Sequence, residues 1–287
     1  MPQPNRKQVL VVDADEQIDA AITAVLSPEE WAVHHAVDNA TALEMANSDP
    51  FDLVITGPRT TGQQDVMLLR AMRRIRPNVR FIVLTERSTP ADVIASMRER
   101  AFSYFTVPIT PEIFEHMVRN ATEDGWEDGV KVVSATPEWI CLLVRCDMKS
   151  ADRLVQFMRE IAALPLAEQQ NVGVAFREML MNAIEHGGHF DPSQYVEISY
   201  VHTRGMVMCR VKDPGEGFSF DEIQHAAFAN PEDDPIHHIH VRNEQGLRPG
   251  GFGVLMARNL VDELIYSEKG NEVMLVKYLA GHSSTSA

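Results

Sequence analysis

Cysteine is scarce in this chain. Cys141, Cys146 and Cys209 form an odd set with neither a CxxC pair nor a Cys/His group at finger spacing. A disulfide framework and a structural zinc are therefore excluded, and all three are expected as buried, reduced thiols. Basic side chains are also in short supply. Against 41 Asp and Glu stand 26 Lys and Arg, a net charge of −15 at pH 7, and the deficit holds on both sides of residue 120. A phosphate-rich polymer would meet a repulsive field, so no nucleic acid is expected as a ligand. No stretch reaches the roughly 18 to 20 uninterrupted apolar residues of a membrane span, and Met1-Pro2-Gln3-Pro4-Asn5-Arg6-Lys7 lacks an apolar signal core. A cytoplasmic protein with no membrane partner is expected. What is present is 45% apolar and 23% charged side chains over 287 residues, which excludes a disordered tail or a collagen-like fibre and suggests two folded domains.

From Lys7 to about Asn120, short apolar runs alternate with helical patterns, the βαβα order of a parallel sheet covered on both faces. Five strands are read, at Val9–Val12, Ala32–Val37, Leu53–Thr56, Arg80–Thr85 and Ser103–Phe105. The predicted fold is a doubly wound, five-stranded α/β domain over residues 1–120. Such sheets gather their ligand sites at the carboxyl ends of the strands, so Asp13, Gly57, Thr85 and Val107 should share one rim. Residues 121–136, rich in acid and glycine, read as a linker leading into a strand. A second domain is expected over 137–280, followed by a polar tail at 281–287. In that domain, strands Trp139–Cys146, Val196–His202, Met206–Lys212 and Glu272–Tyr278 accompany helices at Ser150–Ala163 and Ala167–His186, which implies helices on one face of a mixed sheet.

Three signals in the second half carry chemistry. Glu178, Asn182 and His186 recur every four residues and so share a stripe on an otherwise apolar helix. Buried carboxylate and amide groups need partners. Asp213-Pro214-Gly215-Glu216-Gly217 follows a strand directly; a carboxylate there can accept an exocyclic amine, and the glycines permit close approach, though a surface turn has the same composition. Arg248-Pro249-Gly250-Gly251-Phe252-Gly253 opens a helical pattern running from Val254 to Leu264, where unpaired N–H groups and the helix dipole favour an anion.

In this order and spacing, Glu178xxxAsn182, Asp213xGly215xGly217 and the loop ending at Gly253 resemble the N, G1 and G2 boxes of the GHKL (Bergerat) ATPase superfamily. Within it they resemble the anti-sigma factor serine kinase branch, whose fold is an α/β sandwich. The resemblance implies ATP and Mg²⁺ as cofactors. Asn182 would hold the metal, Asp213 would read the adenine amine, and His186, Gly215, Gly217, Arg248, Gly250, Gly251 and Gly253 would lie along the nucleotide. Glu178 would be the catalytic base. It also implies a protein partner, an anti-sigma antagonist with a sigma factor as a second ligand. The attacking hydroxyl belongs to a partner serine in a kinase and to water in an ATPase, and the residues do not choose between them. A nucleotide-gated binding module without catalysis is the rival reading. A histidine kinase fares worse, because Thr110 to Trp139 is too short for the helical hairpin that carries a phospho-accepting histidine.

The first half, with VLVVDAD, PFDLVITG, FIVLT and SYFTVPIT in order, resembles the receiver domain of response regulators. The resemblance implies an acidic pair, a phospho-accepting Asp, a Thr and a Lys at five rim positions. Here these are Asp13 with Ala14, then Gly57, Thr85 and Val107. Glycine has no side chain to phosphorylate, and few oxygens remain for Mg²⁺. A pseudo-receiver that docks or dimerises is expected, and pairing is common in both resembled families, so a homodimer is compatible. Residues 221–249 occupy the position of an ATP lid and contain His237, His238 and His240, which lack an acidic or thiol co-ligand at clear spacing.

Overall fold

A computed structural model describes residues 6–13, 15–123, 128–162, 164–217 and 252–279. The chain divides into two units, Met1–Asp128 and Gly129–Ala287.

The first unit runs β1 (Lys7–Val12), α1 (Glu16–Val25), β2 (Trp31–Ala36), α2 (Asn39–Ser48), β3 (Leu53–Thr56), α3 (Gly62–Ile75), β4 (Arg80–Thr85), α4 (Pro90–Arg98), β5 (Ser103–Thr106) and α5 (Pro111–Thr122). The strands pair in parallel in the order β2-β1-β3-β4-β5. Val9 through Val12 and Leu53 through Ile55 are fully buried at consecutive positions, which requires cover on both faces of the sheet. On one face Val9, Val11, Leu53, Ile55, Ile82 and Leu84 pack with Ile18, Ile22, Phe114 and Val118 from α1 and α5. Local chemistry sets the helix ends. Thr61 and Gln64 form a reciprocal capping box on α3, and Thr89 caps α4 ahead of Pro90. Pro77 stops α3, because the residue before a proline is driven out of the helical region.

The second unit runs β6 (Val130–Thr136), β7 (Trp139–Arg145), α6 (Met148–Ile161), α7 (Leu166–Asn182), a π-helical turn (Ala183–Gly187), β8 (Tyr195–His202), β9 (Met206–Lys212), α8 (Gly253–Leu260), β10 (Glu263–Tyr266) and β11 (Glu272–Tyr278). Its sheet has the order β10-β11-β9-β8-β7-β6. Alternate residues of β7, β8 and β9 are buried. That period of two gives one core face, covered by apolar residues of α6 and α7 such as Leu154, Phe157, Phe176 and Leu180.

Three expectations change. The sheet is not mixed; every described pairing in it is antiparallel. Short turns join β6 to β7, β8 to β9 and β10 to β11, and a short turn forces reversal, while the paired helices α6 and α7 return the chain to the end where β7 stopped. The expected linker at 121–136 is narrower, since α5 continues to Thr122 and Val130–Thr136 pairs with β7 as an edge strand. The helical pattern read to Leu264 ends at Leu260. There Asp262 ties the chain to β11, its N–H donating to Val276 O at 3.0 Å and its carboxylate accepting the Tyr278 N–H at 2.6 Å, and Glu263–Tyr266 pair with that strand. Ladder pairing outweighs the helix propensity of this segment.

Cys146 and Cys209 are buried and Cys141 partly so, all three as free thiols. Burial pushes the Cys146 thiol up to about 11 and the Cys209 thiol up to about 12, which makes both poor nucleophiles at neutral pH.

Candidate functional sites

In the second unit α7 delivers Glu178 and Asn182, both half-buried, to the start of α8. A Cβ placed on Gly253 would lie 2.9 Å from Glu178 Oε2 and 3.9 Å from Asn182 Nδ2. The carboxylate, the amide and the first turn of α8 therefore meet at one point. The expected three-residue stripe splits after Asn182. The π turn, closed by the Gly188 N–H donating to Ala183 O at 2.9 Å, inserts extra arc, and His186 is swung onto an exposed position. His186 is felt instead at Asp213, where its field favours the ionised carboxylate.

Asp213 is fixed from three directions. Its N–H donates to Asn271 O at 3.0 Å, its Oδ1 accepts the Gly215 N–H at 2.8 Å, and the Asn271 side chain donates to Asp213 O and Gly215 O. Lys269 Nζ adds a bond to Gly215 O at 3.2 Å. Burial raises the carboxyl above the usual Asp range, against the lowering effects of the Gly215 N–H, Lys269 and His186. Gly187 sits against this carboxyl. A Cβ on it would collide with Cβ, Cγ and Oδ1 of Asp213, while one on Gly215 would meet Asp213 Oδ1 at 2.8 Å and Gly187 Cα at 3.0 Å. The π turn and the Asp213 turn thus touch backbone to carboxylate. Gly217 takes φ +87, a left-handed value at which a side chain would be strained.

Asn271, Lys269 and Gly187 were not singled out from the sequence. The signals existed, in the turn composition of Lys269-Gly270-Asn271 and in the Gly187-Gly188 pair, but neither identifies its partner across the fold. Arg177 is a further addition, with its guanidinium 3.8 Å from Glu178 Oε1 and 4.0 Å from Asp152 Oδ1. Arg248, Gly250, Gly251, the three lid histidines and Ala14 lie outside the described residues.

In the first unit the structure brings Asp13, Gly57, Thr85 and Val107 to the carboxyl rim of the sheet. Arg59, from the loop after β3, pairs with Asp13 through two nitrogens, Nε at 3.1 Å from Oδ2 and a terminal nitrogen on Oδ1. A Cβ on Gly57 would lie 2.5 Å from the Asp13 carbonyl carbon and 2.7 Å from Val12 O, and nearer still to Asp13 O. Thr85 is buried, with its hydroxyl between Thr60 O at 3.3 Å and Arg87 O at 2.9 Å, and the Val107 N–H donates to Thr85 O at 2.9 Å. Among the described residues, no group of three or more His, Cys, Asp or Glu is placed to hold a metal ion, and no helix is long and apolar enough to cross a membrane.

Comparison with known proteins agrees with this division. Residues 9–119 match the response regulator receiver domain, and residues 146–277 match the histidine kinase-like ATPase domain. Among curated proteins, the chain is 24% identical over 142 residues to the transcriptional regulatory protein GlrR of Escherichia coli (strain K12), covering 47% of this chain and 32% of that one. It is 25% identical over 112 residues to the serine-protein kinase RsbW of Oceanobacillus iheyensis, covering 39% of this chain and 66% of that protein. The chain thus spans about a third of the length of the first of these relatives. A CheY-like receiver domain structure from Methanospirillum hungatei JF-1 superposes with a TM-score of 0.35 at 21% identity, over 40% of this chain and 92% of that one.

Proposed function

We propose that this chain, in which a response regulator receiver domain precedes a histidine kinase-like ATPase domain, is a bacterial signal-transduction regulator. Its second unit would transfer the γ-phosphoryl group of ATP to a serine or threonine of a partner protein. The observation that carries this reading is the meeting of Glu178 and Asn182 with the N-terminal turn of α8 at Gly253.

The residues suit a magnesium nucleotide. A neutral amide oxygen, a carboxylate one helical turn away, a helix N-terminus beginning at a glycine and a half-buried Asp beside bare backbone are a donor set for a metal, a hydroxyl proton, phosphates and an amine respectively. Asn182 would hold Mg²⁺ through its side-chain oxygen. Asp213 would accept an N–H of adenine, a role supported by the Gly215 N–H that fixes its carboxylate and by the Asn271 side chain that holds its main chain. His186, Gly215 and Gly217 would border the nucleotide, and Gly253 with Arg248, Gly250 and Gly251 would enclose the phosphates. Bound as its magnesium complex, ATP supplies an activated phosphoryl group whose charge the metal spreads. Glu178 then takes the proton of the attacking hydroxyl at a carboxylate oxygen; a positioned base of this kind contributes on the order of 100- to 10,000-fold.

The similarity to RsbW, a serine-protein kinase, supports a protein hydroxyl as acceptor, and an anti-sigma antagonist is the partner of matching chemistry, with a sigma factor as a second ligand. The first unit serves as a docking or dimerisation module in this reading, because Gly57 offers no carboxylate to phosphorylate. The test is phosphoryl transfer from labelled ATP to a candidate antagonist by the wild type and by Glu178→Gln. Equal labelling by the two proteins removes Glu178 from the mechanism. A second reading, nucleotide binding that alters partner affinity without turnover, draws on Arg177, whose guanidinium faces the same Glu178 carboxylate. Calorimetric ATP binding with no transfer or hydrolysis would select it.

A further inference from the structure

In the first unit Asp65, on the first turn of α3, has no exposed surface. Thr60 Oγ1 lies 2.9 Å from Asp65 Oδ2 and 2.8 Å from Gly57 O. A hydroxyl has one hydrogen and two acceptors here compete for it. If Asp65 is ionised, it takes that hydrogen and Gly57 O loses its bond. If Asp65 is protonated, its own O–H donates to Thr60 Oγ1, and the threonine hydrogen passes on to Gly57 O, so that both acceptors are satisfied. Asn39 Nδ2 reaches Asp65 Oδ1 at 3.3 Å, and Asn39 Oδ1 is buried without a hydrogen-bond partner among the described residues. That amide can go on donating to Oδ1 in either protonation state, since a proton on Oδ2 points to Thr60. The neutral acid thus completes a network that the carboxylate leaves one bond short.

The surroundings act in both directions: hydrogen bonds from Thr60, Asn39 and Thr56 favour the carboxylate, while burial and the like charge of Asp13 favour the acid. From the end of β1, Asp13 faces Asp65 with a like charge that Arg59 partly offsets; β3 presents Thr56 and α2 presents Asn39. Other charges on the packed helices are engaged elsewhere: Asp38 caps α2 at the Thr41 N–H, Asp92 accepts from Thr89, and Arg70 pairs with Glu99. The dipole of α3 favours the ionised form as those hydrogen bonds do, but burial outweighs them together and raises the carboxyl to about 7.

We propose that Asp65 is a proton switch for the rim of the first sheet: gaining a proton from solvent, it closes the chain Asp65–Thr60–Gly57, and losing it, it releases the Gly57 carbonyl. The loop concerned also carries Arg59, so its rearrangement alters the Arg59–Asp13 pair and with it the surface of the rim. This goes beyond the docking role given to the unit above, since it makes that surface sensitive to pH with no phosphoryl group involved.

The experiment is a pH titration of the full-length protein followed by carbon-13 NMR of the side-chain carboxyls and by the amide signals of Gly57, Arg59 and Thr60. The Asp65 carboxyl is identified by its absence in Asp65→Asn. The expected result is a carboxyl midpoint within about one unit of neutrality, with the loop amides moving at the same midpoint. In Asp65→Asn, whose amide donates permanently as the protonated acid would, the loop amides cease to titrate. In Thr60→Val the carboxyl still titrates near neutrality but the Gly57 signal no longer follows. An Asp65 midpoint in the ordinary carboxylate range overturns the proposal, as do loop amides that keep their midpoint in Asp65→Asn and so report His34, His35 or His116. If Asp65→Asn fails to fold, the Thr60→Val protein supplies the comparison, since a Gly57 signal that titrates unchanged without the relay hydroxyl is equally fatal.

Discussion

Replacement of Gly57 tests whether the first unit has closed over its own rim. An added Cβ would lie 2.5 Å from the Asp13 carbonyl carbon and 2.7 Å from Val12 O, whereas ordinary contacts of a Cβ begin near 3.4 Å. The obstacles are main-chain atoms, and Asp13, held at φ 53 and tied by its N–H to Ala36 O at 2.8 Å, cannot yield as a flexible side chain would. Gly57→Ala therefore requires β1 and β3 to part at their ends by about an ångström. Overpacking of this kind costs about 1 to 3 kcal/mol, and the upper part of that range applies because backbone must move. A loss of about 3 kcal/mol lowers the protection of slowly exchanging amides roughly 100-fold. Hydrogen exchange by mass spectrometry on peptides of β1 and β3 measures it, with peptides of β8 and β9 in the other unit as an internal reference. Gly57→Asp should show the same loss and should take up no phosphoryl group from acetyl phosphate, because its carboxylate has no space in which to stand. Unchanged protection in Gly57→Ala, or efficient phosphorylation of Gly57→Asp, refutes the steric argument.

Other outcomes follow from the same reasoning. Glu178→Gln should lower phosphoryl transfer at least about 100-fold with ATP affinity nearly unchanged, while Asn182→Ala should abolish the dependence of nucleotide binding on Mg²⁺; calorimetry and a transfer assay separate the two. Gly187→Ala should displace the Asp213 carboxyl and weaken ADP binding on the order of tenfold, about 1.4 kcal/mol, and unchanged affinity would show that Asp213 does not read the nucleotide. Because Asp65 has its carboxyl raised from 3.8 to about 7 on folding, it stabilises the first unit fully below about pH 4, and this contribution is lost as pH rises through about 7. The accumulated loss is at most ~4 kcal/mol at 1.36 kcal/mol per unit; amide protection in β1 should fall across this window in the wild type and change less in Asp65→Asn.

Much of this molecule is written in its periodicities. Consecutive apolar residues at Val9–Val12 and Leu53–Ile55 announce a parallel sheet covered twice, and alternation at Val196–His202 and Met206–Lys212 announces a hairpin. The residues Glu178, Asn182, Asp213 and Gly253 could be named as candidates without coordinates because their three patterns, weak singly, occur together in one order and spacing. What lay beyond the sequence was pairwise, and some of it distant. The hold of Asn271 on Asp213 and the conversion of Glu263–Tyr266 from helix to strand join segments whose separation along the chain carries no signal of their proximity, while the π turn that parts His186 from Asn182 and the competition of Asp65 and Gly57 for one threonine hydrogen are choices among local hydrogen bonds that packing makes. Local propensity and apolar period are properties of neighbouring residues, so the sequence alone determined most of the elements and the candidate side chains. Register, close approach and the sharing of hydrogen bonds exist only once distant segments have packed, so tertiary structure alone decided how those side chains meet.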